Sequence, residues 1–368
     1  MKLDGCGIRN LRNIRDMNVR FTDGLNLIRG NNAQGKTTVL EAIYLFARGR
    51  SFRTNKEAEF ISFDSQTADI EIEYEDSVRK NRMSAHYSKS ENRKLFKNGV
   101  QINRTSEFIG NFRAVLFTPD HLSLIKNAGA DRRLFLDVAL CQITPSYIAR
   151  VKTYNNLLTQ RNALLKERGA EDGQYQLLFE TIAEQMAPAA AAITVMRSEY
   201  CRMLDGRVRD YFDQMTGGSE KISTAYESCV SDDRELLSDS EAVRQLYVRK
   251  FTENIQREIF MKTSLYGPQK DDINIELNGY PSRRYCSQGQ QRSLAIALKL
   301  AEGDISNERT GEYPVYLLDD ISGELDQRRN SFFMSQLGQR QIIVTSCNMK
   351  NSKKINNVIT IKNGEVVS

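Results

Sequence analysis

The chain has 368 residues and a mass of 42.0 kDa; with 40% hydrophobic and 27% charged residues it carries enough apolar material for two or three domains, or one domain with a large insertion, and too much for a disordered tail. Its net charge of +5 and sequence pI near 8.8 are a mild excess, so a polyanion would have to be met by a local basic patch. A mean hydropathy of −0.51, a longest apolar run (Ala187 to Met196) far short of a bilayer span, no charged-then-apolar leader at the start, and six scattered cysteines without a Cys-x-x-Cys pair argue against membrane, secreted and zinc-finger proteins. The thiols read as reduced, in a cytoplasmic protein.

In chain order, the first third reads as mixed sheet with one helix set into it. Gly24–Arg29 is a short strand, followed by a loop and then a helix from Thr37 to Ala47 with Leu40, Ile43, Tyr44 and Ala47 on one face. From Thr67 to Asn103 the period changes to two: Asp69–Tyr74 alternates, and Lys94–Lys97 and Val100–Ile102 flank Asn98-Gly99, a strong hairpin signal because both turn residues must accept positive φ. Ala114–Phe117 is a further strand, closed by Thr118-Pro119-Asp120. From about Asp131 to Lys262 the texture is helical, with helices expected over Tyr147–Lys166, Tyr175–Met215 and Ser240–Met261. Sheet signals then return at Asp272–Leu277, Val315–Leu318, Gln341–Val344 and the terminal hairpin around Asn363-Gly364, with a helix at about Gln290–Ala301. The outer thirds are expected to form one α/β domain that the middle leaves and re-enters, with no internal repeats.

Gly30-Asn31-Asn32-Ala33-Gln34-Gly35-Lys36-Thr37 fits G-x-x-x-x-G-K-[ST] at every fixed position, with a strand before it and a helix after it. Its backbone N–H groups and the positive helix end suit a triphosphate, Lys36 supplies a point charge to the β and γ phosphates, and the Thr37 hydroxyl is a ligand for Mg2+. Chance is the competing explanation, and the flanking elements weaken it. Such a loop needs an acid at the end of a neighbouring strand. Val315–Leu318 leads into Asp319 and Asp320, expected to hold Mg2+ and to orient or deprotonate the attacking water, respectively. Two acids after a strand can also simply begin a solvated turn; the phosphate loop tips the reading towards chemistry. Ser287-Gln288-Gly289-Gln290-Gln291-Arg292 opens a helix with a good N-cap, which makes a second anion site possible, although capping alone commonly explains such a serine.

These elements together resemble the ABC-type ATPases that act on chromosomes, and within that group the RecF family of bacterial recombination mediators over essentially the whole length. The motifs that carry the resemblance are Leu11-Arg12-Asn13-Ile14, Leu116–Leu122, Arg132-Arg133-x-Phe135-Leu136-Asp137, Tyr266-Gly267-Pro268, Asp271-Asp272, Ser287–Arg292, and Asp319-Asp320 followed by Gly323-Glu324-Leu325-Asp326. The resemblance implies an ABC-type P-loop head made of residues 1–124 and 265–368, interrupted by an all-helical arm over 125–264. It implies ATP on Gly30, Asn31, Asn32, Ala33, Gln34, Gly35, Lys36, Thr37, Thr38 and Arg12, with Lys36 and Asp320 catalytic and Thr37 and Asp319 on Mg2+. Ser287, Gln288, Gly289 and Gln290 of a second copy would close over the γ-phosphate in a head-to-head, ATP-dependent homodimer that clamps single-stranded, gapped and duplex DNA. A weak, DNA-stimulated ATP hydrolysis would release the clamp. With RecO and RecR, such a protein promotes RecA loading on the nucleoid, supporting replication restart and SOS induction, and has no membrane partner. The rival reading is the ATPase subunit of a membrane transporter; a metabolic kinase has no use for Ser287–Gln290.

The chain departs from the family pattern at Gln269 and Lys270, where His and Arg usually follow Gly-Pro, at Gly323 in place of a serine, and at Asn127–Ala130. Neither histidine, His86 or His121, falls near the last strands, so Thr345 or Ser346 is expected to sense the γ-phosphate in place of a histidine. Lys89, Arg93, Lys94, Lys97, Arg104, Arg48, Arg50 and Arg53 could neutralise DNA phosphates or form an ordinary solvated face.

Overall fold

The computed structural model of the chain describes residues 1–127, 129–167, 173–321, 325–338, 340–347 and 355–367. In chain order the elements are β1 (Lys2–Leu11), β2 (Ile14–Arg20), β3 (Leu25–Arg29), α1 (Lys36–Arg48), β4 (Thr67–Glu75), β5 (Lys80–Ser88), β6 (Lys94–Lys97), β7 (Val100–Ile102), α2 (Thr105–Phe108) and β8 (Ala114–Phe117). There follow α3 (Gly129–Ile143), α4 (Pro145–Lys166), α5 (Gly173–Thr216), β9 (Ile222–Glu227), α6 (Ser240–Glu253), α7 (Ile255–Met261), β10 (Asp272–Leu277), β11 (Tyr280–Pro281) and α8 (Ser282–Tyr285). The last stretch holds α9 (Gln288–Thr310), β12 (Val315–Asp319), α10 (Gln327–Leu337), β13 (Ile342–Ser346), β14 (Ile355–Lys362) and β15 (Glu365–Val367). Contacts divide the chain into two compact units: Met1–Ser123 with Gln214–Gly217 and Ser287–Ser368, and Leu124–Asp213 with Gly218–Cys286.

The first unit is two six-stranded sheets around one helix. An antiparallel sheet runs β2-β1-β4-β5-β6-β7, and a largely parallel one runs β15-β14-β3-β13-β12-β8. In β4, Ala68, Ile70, Ile72 and Tyr74 point inward and their neighbours outward, the alternation of a sheet with one wet face. Every residue of β12 and β13 is buried, as expected of parallel strands covered on both faces. Helix α1 packs on β1 of one sheet and on β8, β12 and β13 of the other, so it is buried nearly all round and not on the single face its periodicity suggests. Gln341 stitches the sheets together, accepting from Leu3 N at 2.7 Å and donating to Leu3 O at 2.8 Å. The Asn98-Gly99 turn adopts the doubly positive φ its hairpin requires, 51° and 81°.

The second unit departs from an all-helical arm. Strand β9, with Ile222, Thr224 and Tyr226 buried, pairs antiparallel with β10, and β10 pairs with β11. The strand Asp272–Leu277, expected in the sheet of the outer thirds, therefore belongs to this small sheet instead. The helix expected over Ser240–Met261 breaks at Asn254. There Arg161 of α4 donates to the Phe251 carbonyl at 2.6 Å, taking the acceptor that an unbroken helix would offer to residue 255. Arg161 is fully buried, lies over the Phe179 and Phe251 rings, and is paired with the equally buried Glu258 at 2.8 Å. Removing one partner of such a pair leaves an uncompensated charge, so Glu258→Ala should destabilise this unit by about 3–5 kcal/mol. Chemical denaturation should show the loss; a shift below about 1 kcal/mol would mean that Arg161 finds another partner.

The motif Tyr266–Asp272 lies in the same interior. The Tyr154 hydroxyl donates to Gln269 Oε1, Gln269 Nε2 donates to Tyr266 O at 2.9 Å, and Arg197 Nη1 donates to Pro268 O at 2.7 Å. Gln269 thus makes neutral hydrogen bonds within the fold, whereas Lys270 is exposed. Of the other departures, Gly323 and Ala128 lie outside the described residues.

Candidate nucleotide site

The Gly30–Thr37 loop leaves the C-terminal end of β3, a strand flanked by β13 and β14, and runs straight into α1. Ala33 and Gly35 take left-handed φ of 62° and 106°, curling the loop into a concavity lined by backbone N–H groups. Helix α1 has no side-chain N-cap and no acid in its first turn, so its free N–H groups and positive end stay available to an anion. Gly30 has no room for a side chain: a Cβ there would stand 2.3 Å from the Ile361 carbonyl oxygen.

Two turns from opposite ends of the chain brace this loop. Asn13, in the β1–β2 turn, donates to Ala33 O at 3.0 Å and accepts from Thr38 Oγ1 at 3.3 Å. In the β14–β15 turn, Asn363 N donates to Gln34 Oε1 and Gly364 N donates to Gln34 O at 3.2 Å. Lys36 is buried to 7% exposure, and its ammonium donates to Gly30 O at 2.7 Å and Asn31 O at 2.8 Å. Cys347, just past β13, places its Sγ 3.2 Å from Lys36 Nζ and 2.8 Å from Asn32 Oδ1.

The two acids stand where β12 ends. Thr37 Oγ1 donates to Asp319 Oδ1 at 2.9 Å, and Thr345 Oγ1 donates to the same oxygen at 2.8 Å. The Thr345 oxygen also accepts from Asp320 N at 3.0 Å, which fixes the backbone between the two acids. Burial pushes the Asp319 carboxyl above the ordinary carboxylate range; the Thr345 and Thr37 hydroxyls pull it down, and neighbouring Asp320 adds to the rise. Asp320 is exposed and sits at φ 48°, a left-handed position that Asp and Asn tolerate better than most residues. Thr345, expected to sense a γ-phosphate, has its hydroxyl committed to the acids, and Ser346 is buried. Cys347 is the residue of that stretch that reaches Lys36.

Arg12, expected on the nucleotide, places its guanidinium on α1. It grips the fully buried Glu41 of α1 through Nε (3.2 Å) and Nη2 (2.9 Å) and donates to Glu59 O, while Arg53 and Ser51 complete the ring around Glu41. Its neighbour Asn13 makes the loop contact.

Ser287 caps α9 with a complete capping box: Oγ accepts from Gln290 N at 3.3 Å, and Ser287 N donates to Gln290 Oε1 at 2.7 Å. Behind this helix end, Arg329 of α10 donates to Ser293 Oγ at 2.8 Å, pairs with Asp326, and places Nη2 where a Cβ on Gly289 would be 2.9 Å away. Ser287 and Gln288 make no hydrogen bond to Gly30–Thr38. Helix α9 packs on β8, and β8 is separated from β3 by β12 and β13. The structure thus brings Gly30–Thr38, Asp319 and Asp320 together.

A buried helix between an antiparallel and a parallel sheet, its entry loop faced by acids two strands away, is the layout of an ABC-type P-loop ATPase head. Residues 2–367 match the family model for the RecF/RecN/SMC N-terminal domain. The chain is 36% identical to the DNA replication and repair protein RecF of Halothermothrix orenii, covering 99% of this chain and 98% of that one. It is 35% identical to the RecF of Acetivibrio thermocellus over 94% and 93%. Two solved structures of the recombination mediator RecF, one with ATP and one with ATPrS, superpose with a TM-score of 0.91 at 30% and 31% identity, covering 100% and 99% of this chain and 97% of theirs. An SMC head bound to the C-terminal winged-helix domain of ScpA shares the fold at a TM-score of 0.57 and 14% identity. The chain belongs to the RecF family.

Proposed function

We propose that this chain is an ATP-switched DNA clamp of recombinational repair whose nucleotide is shared between two copies. ATP occupies Gly30–Thr38, with Lys36 on its β and γ phosphates. The observation that carries this reading is the convergence of the loop and its acid within one chain, Thr37 and Thr345 both on Asp319, while Ser287 and Gln288 make no hydrogen bond to the loop and are left to serve a second copy. The solved RecF structures with ATP and ATPrS support the nucleotide.

Thr37 Oγ1 and Asp319 Oδ1, 2.9 Å apart at the loop's edge, form an all-oxygen pair of the kind Mg2+ takes, and the burial that raises the Asp319 carboxyl is relieved by a cation. Mg2+ held there would neutralise charge on the phosphates. Asp320 orients the attacking water and accepts its proton. Arg12 and Asn13 act as positioning residues: Arg12 fixes α1 through Glu41, and Asn13 fixes the loop. Hydrolysis, weak and stimulated by DNA, opens the dimer.

The clamp holds single-stranded, gapped and duplex DNA. It acts with RecO and RecR in the cytoplasm, on the nucleoid, to promote RecA loading, supporting replication restart and SOS induction; the solved relatives are described as mediators of the RecFOR pathway. Domain roles follow a head that carries ATP and an arm, with the division at 1–124 and 265–368 against 125–264 shifted so that 265–286, packed with the second unit, goes with the arm. A transporter subunit is disfavoured by the family, and among the described residues no helix is long and apolar enough to cross a membrane. Four of the basic residues near the hairpin and after α1 already have partners within the fold. Arg93 donates to Gly49 O and pairs with Glu57, Lys94 pairs with Glu91, Lys97 donates to Asn111, and Arg53 pairs with Glu41.

Thr345→Val removes a hydrogen bond that lowers the Asp319 carboxyl, so the proton competes with Mg2+ at higher pH than in the wild type. The acid limb of the ATPase pH profile should therefore move to higher pH and respond to added Mg2+; an unmoved limb would remove Asp319 from the metal site. The reading as a whole is tested by ATP-dependent dimerisation and retention on gapped against blunt duplex DNA, wild type beside Lys36→Met. Equal retention of the two proteins with and without ATP would contradict it.

A further inference from the structure

The β10–β11–α8 corner of the second unit carries an aromatic and basic surface that the nucleotide site does not use. Tyr280 and Tyr285 are 61% and 63% exposed, with ring centroids 5.5 Å apart at 55°. Burying these rings against a partner would bring a gain that the fold itself leaves unused. Between them in sequence stand Ser282, Arg283 and Arg284, both arginines exposed. Arg283 is steadied by donating Nε to Lys126 O at 3.2 Å, whereas Arg284 has no hydrogen bond or ion pair among the described residues. Lys221 joins from the neighbouring strand end, its backbone exchanging hydrogen bonds with Asn278 of the turn before Tyr280. The acids nearby are Glu276, across the ladder from Pro281, and Glu220, near Cys286. The aliphatic side chains of this corner, Ile222, Ile275 and Leu277, lie buried beneath it.

We propose that Tyr280, Tyr285 and Arg284 form a binding site for unpaired nucleotides, the bases stacking on the tyrosine rings and the backbone phosphates pairing with Arg284 and Arg283. Aromatic faces interleaved with free cations, without exposed aliphatic neighbours, match a single strand, whose bases offer flat faces and whose phosphates offer charge. A protein partner would more naturally meet a pocket with aliphatic walls, and a membrane surface would need a broader apolar face. The inference rests on the clamp reading and adds to it a reader of single-stranded character, the feature that separates a gap from continuous duplex. The site lies within one unit and, along the chain, ends two residues before Ser287.

The test uses the full chain with ATP and three probes: an oligothymidylate, a strand of equal length made abasic so that only phosphates remain, and a blunt duplex. Tyr280→Ala/Tyr285→Ala should weaken oligothymidylate binding about tenfold or more, while changing abasic and duplex binding less than about twofold. Tyr280→Phe/Tyr285→Phe keeps the stacking faces and should bind as wild type. Arg284→Ala should lower the single-strand salt slope by about 0.7. Photocrosslinking of a 5-iodouracil strand should map to the peptide carrying Tyr280 and Tyr285. The proposal is overturned if the double alanine variant binds oligothymidylate like wild type, if it loses all three probes equally, or if crosslinks map elsewhere. Failure of the wild type to bind any DNA with ATP would instead overturn the clamp reading, and this site with it.

Discussion

Lys36→Met should abolish ATP-driven dimerisation and, with it, retention on DNA. The ammonium is nearly enclosed and already directed at the mouth of the loop through the Gly30 and Asn31 carbonyls, so it needs little reorganisation to meet phosphate oxygens. Losing a charge-assisted contact of this kind costs about 2–4 kcal/mol, or roughly 30- to 1000-fold in ATP affinity. Methionine has a similar length and flexibility, so the fold should survive, and an unchanged thermal midpoint would separate lost binding from lost structure. Isothermal titration with ATP and sedimentation with and without nucleotide read the two effects. ATP affinity within about threefold of wild type would remove Lys36 from the site.

Asp320→Asn should give the opposite phenotype, a dimer held on DNA. Asparagine matches the side chain in shape and tolerates the left-handed backbone at φ 48°, so the Thr345 contact to residue 320 N is preserved. The lost carboxylate removes the acceptor for the proton of the attacking water, a loss of about 100- to 10,000-fold in turnover. ATP binding and closure need neither that proton transfer nor the Asp320 charge. The variant should therefore accumulate as an ATP-dependent dimer that leaves DNA slowly. Gel filtration of Asp320→Asn with ATP that showed only monomer would contradict the shared-site mechanism.

What could be read from the residues, and what could not, follows the range of the interactions. The phosphate loop, the Asn98-Gly99 and Asn363-Gly364 turns and the capped start of α9 are set by neighbours a few residues apart, and each appears at its expected place. Periodicity showed one face of α1 because it cannot register a second sheet on the far side. Strand β9 is a six-residue alternation inside helical composition, and its partner β10 lies about fifty residues away, so no local signal could override the surrounding texture. The break at Asn254 comes from an arginine ninety residues upstream that captures a helix carbonyl.

The supporting cast of the site was less legible for the same reason. Asn13, Gln34 with Asn363, and Thr345 act across 20, 329 and 26 residues of sequence. A signal was present for Thr345, since a hydroxyl near the end of a buried parallel strand next to Asp319 must find a partner there. That Arg93, Lys97 and Arg53 face Glu57, Asn111 and Glu41 depends on partners 12 to 36 residues away and could not be read from local pattern.

The central claim is that each nucleotide is enclosed by the loop of one copy and the Ser287 helix of another. Its most direct test mixes two inactive proteins, Lys36→Met and Ser287→Arg, and measures ATP hydrolysis in the presence of DNA. A shared site predicts recovered activity, because a mixed dimer pairs the intact loop of the Ser287→Arg copy with the intact Ser287 helix of the Lys36→Met copy. If the mixture stays as inactive as its components while both remain folded and able to associate, each copy encloses its own nucleotide and the account is wrong.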